Sequence, residues 1–316
     1  MRPVRTPHDR AALSFSLSVH SAAAASASAN SSASAAASAS AANTTSIPPT
    51  VGLLPEGRLI LGSRSQPEAL DVIAVGAHPD DVEIGCGGLL SLLVARGARV
   101  GIVDLTDGEP TPRSSGPEER AGEAAAAARL LGIHHREDLG FPNRRLFDCF
   151  EVRVALARVF RRHRPRLVLG LGDKTPLASP DHAQAVAITE AAVFYSRLCK
   201  WDDVFDGLPV HTVPQLLNYF LSASVPTIPS GHWPLVVDIH GHLERKLEAV
   251  ACYRSQFPPE KTHIFARVRG AAEVIGAMGG CSAGELFGST RVPCTNDPLG
   301  MFFPATAPLA GGGEAP

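Results

Sequence analysis

His78-Pro79-Asp80-Asp81 places one imidazole and two carboxylates within four residues. It follows the apolar run 70–77, and Gly85-Cys86-Gly87-Gly88 with a helical apolar pattern comes after it. A β-branched run, a turn and then helical periodicity read as strand, loop and helix. Such a loop lies at the carboxyl end of a strand, where open α/β sheets bind their ligands. Burying that much charge is costly unless something offsets it, and a metal ion is the simplest offset. Imidazole and carboxylate are ordinary zinc ligands, and a catalytic zinc takes three protein ligands and keeps one position open. Taken alone, the four residues fit a solvated loop equally well. A second cluster, Ser179-Pro180-Asp181-His182, follows the strand-like run 166–172 and precedes another helical pattern. Two polar clusters at the ends of two parallel strands can converge on one ion. The expected ligands are His78, Asp81 and His182.

The elements that must hold these groups alternate along the chain. Strands are expected over 70–77, 99–105, 136–139 and 166–172, and helices over 86–96, 118–131, 151–163 and 181–197. Further strands near 215–222 and 234–239 precede a helix over 242–253. This repeated βα pattern predicts an α/β fold, a Rossmann-like, mostly parallel sheet with helices on both faces. No internal repeat is visible. Residues 51–68 read as a Pro/Gly-containing lead-in, 69–303 as the domain, and 304–316 as a disordered tail. Residues 1–50 differ in kind. Arg2, Arg5 and Arg10 are offset only by Asp9, and an Ala/Ser/Asn tract follows from Ser21 to Ser46. Such a tract buries too little apolar surface to offset ordering, so disorder is expected. Its composition is that of an organelle transit peptide; a plain low-complexity tail or a misplaced start codon are the alternatives.

With 316 residues and 45% hydrophobic content, the chain can fill one α/β core. A net charge of −2 without a long basic run argues against a nucleic-acid partner. No apolar stretch reaches the ~18 residues that a membrane span needs. The six cysteines are scattered without a C-x-x-C pair, against a Cys-type zinc site or a disulfide scaffold. Reduced thiols point to an intracellular setting, cytoplasmic, or organellar if the leading segment is a transit peptide. Cys86 reads as a small buried hydrophobe.

The string Ala77-His78-Pro79-Asp80-Asp81-Val82-Glu83-Ile84-Gly85, with Pro180-Asp181-His182 downstream, resembles the PIG-L/LmbE-like zinc N-deacetylases. Within that family the resemblance is closest to the bacillithiol-type N-acetylglucosaminyl-malate deacetylases. Further matches come in order: Leu105-Thr106-Asp107-Gly108-Glu109, Arg120 with Glu123, Pro142-Asn143-Arg144, Tyr253-Arg254-Ser255-Gln256-Phe257 and Gly284-Glu285-Leu286-Phe287. They span about residues 69–303.

The resemblance implies Zn2+ and hydrolysis of an N-acetyl amide on an N-acetyl sugar, with GlcNAc-malate favoured. Zinc lowers the pKa of its water toward about 7 and polarises the carbonyl. Asp81 then binds metal while Asp80 takes the water's proton, as a base near a cation stays ionised. Asp181 either supports the site from behind, holding His182 or bonding near it, or caps the following helix. Many family members carry His where this chain has Ser179, a hydroxyl that donates a hydrogen bond but is no cation at neutral pH. Lys174 on the same loop is the first candidate for the displaced role, with a solvated lysine the alternative; His240 and His242 are others. Arg120 and Arg144 match positions near substrate, where a guanidinium can pair with a carboxylate such as malate. Arg120 can equally be a helix-surface residue paired with Glu119 or Glu123. Glu109 lines the pocket or serves the turn, and Tyr253, Ser255 and Gln256 pack or bind. Family members are often homo-oligomers; no interface is marked in the sequence. Competing readings are a deacetylase of another glycoconjugate such as GlcNAc-inositol, and a non-catalytic metal- or sugar-binding homologue. A nucleotide-binding Rossmann domain is disfavoured, since G-x-G-x-x-G is absent and two carboxylates repel a pyrophosphate.

Overall fold

Short apolar runs stack side by side because each is buried on both faces, which is what a parallel sheet under helices requires. In chain order the strands are β1 (Val51–Leu53), β2 (Leu59–Leu61), β3 (Val72–Gly76), β4 (Val100–Thr106), β5 (His135–Phe141), β6 (Leu167–Leu171), β7 (Gln215–Tyr219), β8 (Trp233–Asp238) and β9 (Gly284–Ser289). The helices are α1 (Asp81–Ala95), α2 (Pro117–Leu131), α3 (Phe150–His163), α4 (Asp181–Tyr195), α5 (Leu243–Ala251) and α6 (Thr262–Gly279). This computed structural model describes residues 51–53, 59–61, 68–221, 231–294 and 296. The expected disorder of 1–50 and 304–316, and the transit-peptide reading, fall outside those residues. No helix among the described residues is long and apolar enough to cross a membrane.

The sheet order is β1-β2-β5-β4-β3-β6-β7-β9-β8. Its centre, β5-β4-β3-β6-β7, is parallel, and the four outer strands are antiparallel additions. The chain runs outward from β3 to β5, then returns to β6. Right-handed crossovers in opposite directions put their helices on opposite faces: α1 and α2 pack with α5, while α3 packs with α4. Val72, Ile73, Ala74 and Val75 of β3 and Val100, Ile102, Val103 and Leu105 of β4 form the middle of the core.

Three departures from the sequence reading have physical causes. First, α1 begins at Asp81 rather than near 86 and is broken at Cys86 (φ −143°, ψ 17°). The glycines around it are poor helix formers, and a distant carboxylate repairs the break. Glu285 accepts from Gly88 N at 2.9 Å and Leu89 N at 2.7 Å, and Lys246 Nζ donates to it at 2.7 Å, all buried. Gly85 is needed here because a Cβ would stand 2.1 Å from the Tyr219 ring. Second, the lead-in holds β1 and β2, which extend the sheet beside β5. Third, α6 and β9 were not foreseen. Gly270 and Gly276 interrupt the pattern of α6, and β9 (GELFGS) becomes a strand only through pairing with β7 and β8 on either side. Cys86 is fully buried in the core, as a small hydrophobe would be.

Candidate active site

The carboxyl ends of β3 and β6 lie side by side, at the point where the strand order reverses and where open α/β sheets place their ligands. The loop after β3 carries His78 and Asp80 and leads to Asp81 at the start of α1, and the loop after β6 carries Thr175 and Ser179 and leads to Asp181 and His182 at the start of α4. The loops after β4 and β5 add Gly108, Thr111, Asn143 and Arg144, and a cleft of about 300 Å³ opens between them.

One donor atom each from His78, Asp81 and His182 falls within 4.8 Å of the other two. Asp81 Oδ1 is 3.3 Å from His182 Nε2, and Asp81 Oδ2 is 3.4 Å from His78 Nδ1. The far side of each imidazole is held. His78 Nε2 donates to Asp181 Oδ2 at 3.3 Å, leaving Nδ1 toward Asp81. His182 Nδ1 lies 2.8 Å from Thr175 Oγ1, leaving Nε2 toward Asp81. His78 N donates to Asp81 Oδ2 at 2.9 Å. Imidazoles whose second nitrogen is fixed by an oxygen are the usual supports of a metal centre. The charge balance fits as well. Burial pulls the His78 pKa down, yet hydrogen bonds to Asp181 and Asp81 push it up to about 10. Burial also opposes ionisation of Asp81, yet His182 and His78 hold its carboxyl well below the usual range. A site that makes an imidazole keep a proton is one that fits a cation.

Asp80 sits at φ 113°, ψ −25°, a strained backbone for any residue but glycine, just before α1. Its side chain stays at the cleft, 3.4 Å from Arg120 Nη2. Burial pushes the Asp80 carboxyl up to about 7; Arg120 pulls it down and Asp81 pushes it up.

Arg120 is not a helix-surface residue: it is 2% exposed. Its guanidinium donates to Pro79 O at 2.6 Å and faces Asp80, Glu123 (3.6 Å) and Glu109 (3.7 Å) above the Tyr253 ring. Glu109 lies behind the cleft, accepting from Thr111 N at 2.8 Å and Thr111 Oγ1 at 2.9 Å. Gln256 Nε2 donates to Thr111 Oγ1 at 2.9 Å, and both side chains reach the cleft. Ser255 is spent on Glu123 (2.7 and 2.6 Å) and Tyr253 on Glu83 (2.9 Å). Beneath them Arg136 binds Glu83 at 2.6 Å and Asp104 at 2.8 Å.

Asp181 lies behind the site, bonded to one of its imidazoles. It supports His78 rather than His182, and it does not cap α4, whose N-cap is Pro180 without a side-chain bond. Its Oδ2 also accepts from Arg144 N at 2.6 Å, which holds Arg144 at φ 62° with its side chain exposed at the cleft. Ser179 lines the cleft. Lys174 and His240, the latter paired with Asp238 at 3.0 Å, are exposed and outside the lining, and the half-buried His242, 2.9 Å from Ser91 Oγ, is outside it too. Thr175 was missed, since a threonine seven residues before a ligand carries no signal of its own.

The family described as GlcNAc-PI de-N-acetylase (PIG-L) matches residues 73–193, which include every residue of the two ligand loops. The diacetylchitobiose deacetylase of Thermococcus kodakarensis is 32% identical over 199 residues, 60% of this chain and 71% of that protein. A 1D-myo-inositol 2-acetamido-2-deoxy-alpha-D-glucopyranoside deacetylase of Saccharopolyspora erythraea is 28% identical over 235 residues, 61% of this chain and 85% of that protein. Among solved structures, the conserved protein TT1542 from Thermus thermophilus superposes with a TM-score of 0.62 at 35% identity, over 72% of this chain and 97% of that one. With a relative at this identity and coverage, and with the fold and both loop motifs in place, the chain belongs to the PIG-L/LmbE family of deacetylases.

Proposed function

We propose that the cleft removes the N-acetyl group from an N-acetylglucosamine conjugate, using a divalent cation held by His78, Asp81 and His182. The convergence of those three donors within 4.8 Å, with Asp80 on the same wall, carries the reading. A His2Asp set suits zinc, which when bound supplies Lewis acidity at the acyl carbonyl and to the attacking water. The chain's own groups do the rest. Asp80 receives the water's proton and returns it to the leaving amine. Arg120 favours the ionised form of Asp80. Asp181 and Thr175 fix the two imidazoles. The Ser179 hydroxyl, on the cleft wall, is a neutral donor for the developing oxyanion.

Arg120 already faces three carboxylates, which favours a neutral sugar or polyol aglycone over malate. The relatives named for chitobiose and for GlcNAc-inositol point the same way. An acidic aglycone would rely on Arg144 at the cleft mouth. The test is amine release by the zinc-loaded chain from diacetylchitobiose, GlcNAc-inositol and GlcNAc-malate, beside Asp80→Asn. Turnover of at least one conjugate that falls about 10²–10⁴-fold in Asp80→Asn, with metal retained, is expected. Near-normal kcat in Asp80→Asn refutes the base assignment. A folded, zinc-bound wild type inert on every N-acetyl sugar refutes the enzymatic reading in favour of a binding protein.

A further inference from the structure

A second cluster of metal-ligand type lies at the other end of the sheet. His135 and Glu137 are two apart on β5, so their side chains share one face of the strand. His163 is the last residue of α3. One donor atom from each of the three falls within 4.8 Å of the others. His135 Nε2 and Glu137 Oε1 are 3.2 Å apart, and the His135 and His163 rings are 4.4 Å apart between centroids. Two ligand atoms at about 2.0–2.2 Å from a tetrahedral zinc stand about 3.3 Å from each other, so the first pair is already set.

His163 supplies the decisive detail. It is 5% exposed. Its Nδ1 lies 3.0 Å from the Glu68 carbonyl oxygen, which can only accept, so the proton sits on Nδ1. Its Nε2 therefore presents a lone pair, and that buried atom has no hydrogen-bond partner. A backbone carbonyl fixing the tautomer behind a free ring nitrogen is the arrangement that supports a metal-binding histidine. The carboxylate is divided in the same way: Glu137 Oε2 faces Arg162 Nη1 at 3.4 Å, while Oε1 faces His135 Nε2 at 3.2 Å. None of these residues contributes to the deacetylase cleft.

We propose that His135, Glu137 and His163 form a second site for a divalent transition metal of the zinc type, which pins the start of β5 to the end of α3. Its role is structural, and it does not depend on the catalytic reading. The test counts metal. Full-length protein stripped with a chelator is dialysed against Zn2+, and bound zinc is measured by mass spectrometry. Two equivalents are expected in the wild type, and one in His78→Ala/His182→Ala, whose melting temperature zinc still raises by several degrees. His135→Gln, at a partly exposed position, should bind one equivalent fewer than wild type and melt at the same temperature with or without zinc once the cleft pair is removed. One equivalent in the wild type with none in His78→Ala/His182→Ala overturns the proposal. So does an unchanged stoichiometry in His135→Gln, a result that stands even if the cleft variant does not fold.

Discussion

Arg120→Met tests the electrostatic design of the cleft. The substitution keeps a long unbranched side chain in a 2%-exposed position and removes the charge. Three carboxylates at 3.4–3.7 Å and the Pro79 carbonyl then lose their shared cation. Removing one partner of a buried ion pair costs about 3–5 kcal/mol, because the other is left uncompensated. At about 2–4 °C per kcal/mol for a domain of this size, the melting temperature should fall by about 10 °C. A second readout concerns the base. Arg120 draws the Asp80 pKa down against burial, so its loss moves that pKa further above the carboxylate range. If Asp80 is the base proposed above, its ionised form is the active one, so the acid limb of the kcat/KM profile should shift to higher pH and neutral-pH turnover should drop. Arg120→Lys keeps the charge without the planar fork and should show a smaller shift of the limb. Thermal denaturation and a pH-rate profile on the zinc-loaded protein suffice. A melting temperature within about 2 °C of wild type, against the several degrees expected from the same scaling, together with an unmoved acid limb, would refute the argument.

Thr175→Val and Asp181→Ala each remove the oxygen that orients an imidazole of the proposed metal site, so zinc affinity should fall about 10–100-fold while the fold is kept; competition with a chromogenic chelator measures it. In the metal-free protein His78 titrates at about 10 rather than 6.5. A raised histidine stabilises fully below its unfolded pKa and loses that contribution as pH rises through the folded one. The melting temperature of the stripped protein should therefore decline between pH ~6.5 and ~10 more steeply than that of the zinc-loaded form, and parallel curves would contradict the assignment. Gly85→Ala forces a methyl into the Tyr219 ring, whose hydroxyl is tied to Val75 O at 2.9 Å. The expected loss is about 1–3 kcal/mol by urea denaturation.

How far the sequence speaks depends on how local each determinant is. The ligand loops were legible because strand, polar cluster and helix are contiguous at both 70–95 and 166–195, and a parallel sheet must bring such loops to one edge. Their supports were not. Which imidazole Asp181 holds depends on the placement of β3 against β6, which brings together side chains 103 residues apart. Arg120, in a helix that opens PEER, matches a position near substrate with a helix-surface place as the alternative, and only its contacts with Pro79, Asp80, Glu109 and Tyr253 from outside that helix show it to be buried. Strand β9 holds few apolar residues and owes its conformation to its neighbours. Glu285 could be seen as part of a motif, but nothing near it in the chain announces the helix break that it closes.

That closure bears on how the protein is made. Until residue 285 has left the ribosome, the amides of Gly88 and Leu89 and the ammonium of Lys246 have no acceptor where they will be buried. An unmet buried donor costs about 1–3 kcal/mol, so these three groups favour water over the core until Glu285 is in place. Domains generally fold as units during synthesis, and here the unit is completed from its far end. The Glu285 carboxylate thus ties α1, whose first residue is Asp81, to a strand that lies 197 residues beyond Gly88, so the helix under the cleft is complete only once β9 has paired with its neighbours.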